Sequence, residues 1–142
     1  MSPDGRRTPS DRVLPVRADR GSASVALVLM MTMVVAGAAL IFDGAVYLAA
    51  ERQASNTAEG AARAAVATGT PSEGMSEAVA RRAAVDHAAL LGAAAADVVV
   101  SFPSRTSVVV TVTERRPATF ARFAGAESIT ARARGRARLE FG

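Results

Sequence analysis

The chain has no cysteine, which excludes a disulfide framework and any thiolate metal site. Histidine occurs once, at position 87. A lone imidazole cannot complete a metal site or a base–nucleophile pair, so His87 reads as a partly exposed helix residue. Lysine is absent: all 17 basic residues are arginine. With the abundance of alanine, glycine and valine, this reads as the codon bias of a GC-rich genome. Aromatics make up only 4%, so any domain built here has a thin core. No glycine-rich phosphate loop, carboxylate pair in a motif or metal-ligand cluster stands in the 142 residues. No catalytic, cofactor-binding or metal residue is therefore expected, and neither is an enzyme, a cofactor or a small-molecule substrate. The net charge of +4 permits an anionic partner without demanding one.

What is present first is a long apolar run. From Gly21 to Phe42 there is no charge, and Arg20 and Asp43 bound the run. At the helical rise it extends about 33 Å, enough to cross a bilayer core. Backbone polar groups in lipid must be satisfied internally, so a helix is expected. A cleaved signal peptide is the competing reading, with Ala36–Ala38 ("AGA") as a small-residue motif. The run exceeds a usual h-region and nothing turn-like precedes that motif, which favours a retained anchor. Arg6, Arg7, Arg12, Arg17 and Arg20 precede the run, whereas Asp43 follows it. The positive-inside rule then puts the N-terminus in the cytoplasm. The expected organisation is a disordered cytoplasmic tail (1–20), a transmembrane helix (21–42) and an extracytoplasmic helix-plus-sheet domain (43–142).

Beyond Asp43 the helical pattern continues. Val46, Tyr47, Ala50, Ala54, Ala58, Ala61, Ala62, Ala65 and Val66 form a stripe at three- and four-residue spacings. One helix is expected from about Ala23 to Thr68, capped by Gly69. Thr70-Pro71-Ser72-Glu73 reads as a capping box opening a second helix that Gly92 stops. Met75, Val79, Ala83, Leu90 and Leu91 are its expected inward face. The period then changes to two. "DVVVSF" and "TSVVVTVTE", separated by Pro103-Ser104-Arg105, predict a hairpin, with Val108, Val110 and Val112 on one face. "PATFARFAG" predicts a short helical turn with Phe120 and Phe123 toward the core. In the third strand Ile129, Ala131, Ala133, Ala137 and Leu139 alternate with Arg132, Arg134, Arg136 and Arg138. That spacing puts the four arginines on one face. Without interleaved aromatics for base stacking, a solvated face is favoured over a nucleic-acid surface, and no nucleic-acid partner is expected. The fold class is α+β, with about three antiparallel strands.

An arginine–glycine junction, one N-terminal span, an unbroken alanine-rich helix and a small helix-plus-sheet head together resemble the TadE/TadG-like proteins. These are pilin-like minor components of tight-adherence (Flp-type) pilus systems. "DRGSASVALVLM" (Asp19–Met30) and "DGAVYLAAERQASNTAEGAARAA" (Asp43–Ala65) carry the resemblance, and "VVVTVTERRPATFARFAG" (Val108–Gly125) adds to it. It implies a non-enzymatic membrane protein whose partners are other pilus or secretion-system subunits. It also implies a processing site between Gly21 and Ser22. Pilin-type members carry a glutamate five residues after the processing glycine. Here that position is Ala26, as in TadG-like members, which lack the glutamate. The uncleaved form is therefore expected. Ala36, Gly37, Gly44, Ala45 and Ala49 are candidates for close helix packing. The alternative is a membrane-anchored extracytoplasmic binding module that uses the face of Arg132, Arg134, Arg136 and Arg138.

Overall fold

The structure is a computed structural model and describes residues 20–70 and 72–140. The expected tail (1–20) lies outside the described residues except for Arg20. The chain divides into two compact units, Met1–Val34 and Val35–Gly142.

Helix α1 runs from Arg20 to Val66. Its described part in the first unit is apolar and exposed, including Leu27, Val28, Met30 and Met33. This helix is long and apolar enough to cross a membrane, and none of its apolar window is buried. Thr32 interrupts the run with a hydroxyl that donates to the Val28 carbonyl four residues back, at 2.8 Å. Its polar group is thereby satisfied within the helix.

The second unit combines the remainder of α1, helix α2 (Glu77–Leu90) and one antiparallel sheet in the order β1-β2-β3. The strands are β1 (Val98–Ser104), β2 (Ser107–Pro117) and β3 (Ser128–Arg138). The α+β class expected from the sequence is the class observed. Alternation in β2 buries Val108, Val110 and Val112, as its period of two requires. The buried stripe of α1 is Ala50, Ala54, Ala58, Ala61, Ala62 and Ala65, all fully covered. These small side chains let helix and sheet backbones approach closely. The approach is closest at Gly135 of β3, paired with Val110 of β2. A Cβ at Gly135 would overlap the Ala58 carbonyl and the Glu59 amide of α1. No residue larger than glycine fits there.

Three local expectations fail. Gly69 does not cap α1 through a left-handed backbone, because positive φ occurs only at Gly74, Gly92 and Gly125 among the described residues. Instead the Thr68 hydroxyl donates to the Ala65 carbonyl at 2.7 Å. Gly69 is needed for space, since a Cβ there would lie 2.6 Å from Met75 Cγ.

The capping box at Thr70–Glu73 does not open α2; Pro71 itself lies outside the described residues. The Glu73 amide does donate to the Thr70 hydroxyl at 3.3 Å, but this closes a turn. Thr70 and Gly74 pair as an isolated bridge, and the Met75 amide donates to the Arg105 carbonyl at 3.0 Å. Burial of Met75 against the hairpin delays the helix to Glu77.

The inward face of α2 is Ala80, Ala84 and Ala88, not Val79, Leu90 and Leu91, which are exposed. Met75 is buried as expected, and Ala83 is half-buried. These three alanines are fully buried, while the His87 imidazole reaches over Gly60 of α1, where a Cβ would sit 2.7 Å from Nε2. Gly92 does stop α2. Its φ is +89°, and Ala93 and Gly92 donate to the carbonyls of Ala88 and Ala89 at 3.0 Å each, the Schellman arrangement.

In the hairpin, Pro103 and Ser104 continue β1 and the turn is Arg105–Thr106. Proline is tolerated there because β1 is an edge strand and its register shifts between Ser101 and Ser104. The Arg81 guanidinium donates to the Val100 carbonyl at 2.9 Å and lies 5.4 Å from the Phe102 ring centre. It ties α2 to the β1 edge.

Candidate functional site

The apolar run ends at Asp43, a half-buried residue on the same side of α1 as the covered alanines. Residues 36, 39, 40, 43, 50 and 54 fall within one arc at 3.6 residues per turn. The connection between β2 and β3 meets this stretch at Asp43 and leaves Ala36 and Leu40 exposed.

The connection is a single 3₁₀ turn, Ala121–Ala124, closed by Gly125 at φ +90°. Its leading amides have no partner within the turn, and the Asp43 carboxylate accepts them. Thr119 donates to Oδ1 at 3.2 Å, Phe120 to Oδ2 at 3.1 Å and Ala121 to Oδ2 at 2.5 Å. Beside this tether the Phe42 and Phe120 rings meet edge to face, 5.7 Å between centroids. Ala36, Ala39, Leu40, Asp43, Phe120, Ala121 and Ala124 line a shallow groove of about 370 Å³.

The expectation that Phe120 and Phe123 face the core is overturned. Phe120 lies against Phe42 and is still exposed, and Phe123 is 85% exposed. The turn is held by Asp43 on the outside of the sheet–helix core, so its rings cannot reach that core.

The small-residue candidates Ala36, Gly37, Gly44, Ala45 and Ala49 are all exposed. They do not form one stripe. Gly37 and Gly44, seven residues apart, share a face, and Ala45 and Ala49 share another. Ala36 belongs to the groove. A Cβ on Gly37 or Gly44 would meet nothing within 4 Å, so the rest of the chain does not require glycine at either position.

Arg132, Arg134, Arg136 and Arg138 are exposed on one face of β3. Across from them stand Thr113, Thr111, Val109 and Ser107 of β2. Arg132 Nε donates to the Thr113 hydroxyl at 3.4 Å. Among the described residues none of the four makes an ion pair. The pairs are Arg63–Glu59, Arg115–Asp97 and Arg116–Glu114. His87 is half-buried on α2 beside Gly60, and no group of three metal-ligating side chains converges among the described residues. The surroundings of Arg20 and Gly21 lie outside the described set, and Ser22 is exposed.

Sequence reasoning missed Asp43. Only its position at the end of the run was readable, because its hydrogen-bond partners lie 76–78 residues away. No family model, curated protein or solved structure matches the chain.

Proposed function

We propose that this protein is a non-enzymatic, pilin-like minor component or assembly protein of a Flp/Tad-type pilus or related secretion apparatus. The span 21–42 anchors it in the cell membrane, with the N-terminus cytoplasmic and the head outside. It acts by association through α1. The observation that carries this reading is the continuity of α1 from Arg20 to Val66. One helix supplies an exposed apolar segment and then the spine on which a small antiparallel sheet is laid. A lateral partner would meet the face of Gly37 and Gly44, where a close-approaching helix finds no side chain.

The test is Gly44→Leu. The site is open and leucine is the better helix former by close to 1 kcal/mol, so the fold itself is not weakened. Crosslinking of the full-length protein in its native membrane should lose its partners in Gly44→Leu. Retention of every crosslinked partner would refute helix-mediated assembly. Orientation has its own readout: a C-terminal alkaline phosphatase fusion should be active and a green fluorescent protein fusion dark.

A second reading, a tethered binding module, is favoured by the four exposed arginines without ion pairs among the described residues. It requires Arg134→Gln with Arg136→Gln, and not Gly44→Leu, to abolish the crosslinks.

A further inference from the structure

We propose that the turn Thr119–Gly125 is a second membrane contact, a foot that rests in the headgroup–acyl boundary beside the point where α1 emerges. The proposal rests on the reading of 21–42 as a span.

Three observations converge on it. The first is level. Asp43 holds the turn at the end of the apolar run, and Ala124 lines one groove with Ala36 and Leu40. Ala36 lies two helical turns before Asp43, about 10 Å along the axis. The turn therefore sits alongside the last turns of the apolar run. Interfacial elements bury their apolar side by about 5–10 Å, which is the same range.

The second is side-chain chemistry. Phe120 caps the 3₁₀ turn and Phe123 lies within it, so one short turn carries two rings three residues apart. Phe120 contacts Phe42, and Phe123 contributes a ring that is 85% exposed. Between them Arg122 is exposed and long enough to bring a guanidinium to lipid phosphates while its stem stays with the rings. A ring as exposed as Phe123 is disfavoured in water, whereas apolar rings beside a phosphate-seeking cation suit the boundary.

The third is the backbone. Irregular chain is tolerated near lipid only where its polar groups are satisfied. Thr119, Phe120 and Ala121 donate to Asp43. Phe123, Gly125 and Ala126 donate to the carbonyls of Phe120, Arg122 and Ala121 at 3.0–3.1 Å. The carboxylate on α1 thus does for this turn what water does for an ordinary surface loop.

The absence of cysteine allows single-site labelling. Phe123→Cys, Val28→Cys and Val99→Cys each place a fluorophore at an exposed position of the full-length protein. Val28 lies within the run and Val99 on the outer sheet face. The variants are reconstituted in vesicles of phosphatidylethanolamine and phosphatidylglycerol. Nitroxide-bearing lipids should quench the label at position 123, as they quench the one at 28. Iodide should quench the label at 123 several-fold less than the one at 99. Iodide quenching at 123 equal to that at 99, with 28 still lipid-quenched, overturns the foot and leaves the span intact. A label at 123 shielded from both quenchers also overturns it, because protein would then cover the turn. If iodide reaches position 28, the span reading itself fails and the foot fails with it.

Discussion

The two halves of α1 are drawn from the same apolar alphabet and end in opposite surroundings. Before Phe42 the large side chains Leu27, Met30, Met33, Leu40 and Ile41 all stand exposed. From Ala50 to Ala65 the stripe is alanine, and every member is fully covered. Side-chain size sets how closely the sheet settles on the second half. A β-sheet can settle on a helix only as closely as the shorter side chains permit, and the Ala58–Gly135 contact is at backbone distance. Long side chains instead present a broad apolar surface, which a fluid lipid phase accommodates without matching shapes. Apolar character alone separates neither half from the other.

The largest test of this contrast compares glycines. Gly135→Val drives a branched side chain into the Ala58 backbone and should cost about 3 kcal/mol or more. Gly37→Val on the open half meets nothing and should leave head stability nearly unchanged. Thermal unfolding of the detergent-solubilised chain, followed by circular dichroism, measures both. Equal losses would mean that the alanine face is not set by close approach.

An intermediate effect is expected at the junction between the halves. Asp43→Ala removes the acceptor of three amides and should weaken local closure by about 1–3 kcal/mol. Hydrogen exchange at Thr119, Phe120 and Ala121 should accelerate by about ten- to a hundred-fold, since 1.4 kcal/mol is a factor of ten. Exchange in β2 should change little. The smallest effect belongs to the solvated sheet face. Arg134→Gln with Arg136→Gln should shift stability by no more than about 0.5 kcal/mol, because neither residue is buried nor ion-paired. A larger fall would tie those arginines to the fold.

The features legible in the sequence are those whose cause is local. Alternation in "TSVVVTVTE" placed Val108, Val110 and Val112 inward, and an unbroken run without proline gave α1 its continuity. The misjudged features depend on distant contacts. In α2 alanine occurs on every side, so the stripe of larger residues reads as the core, although Ala80, Ala84 and Ala88 are the residues buried. The Thr70–Glu73 hydrogen bond of the capping motif exists, but Met75 is anchored on the hairpin some thirty residues later. Phe120 and Phe123 carry the signature of core residues, and only the Asp43 tether explains why they are not. The Asp43 site was therefore readable as a boundary and unreadable as a contact.

The sheet has two open margins, and each is guarded differently. At β1 the Arg81 side chain occupies the Val100 carbonyl, and Pro103 removes a donor. Along β3 an arginine stands at every second residue from 132 to 138. A second copy adding to β3 with its covered face on the same side would extend this row with its own, placing like charges beside one another on adjacent strands. Growth of the sheet from molecule to molecule is therefore opposed at both margins. Under the proposed reading, copies gathered at high local density in a membrane would keep their strands to themselves and meet through their helices.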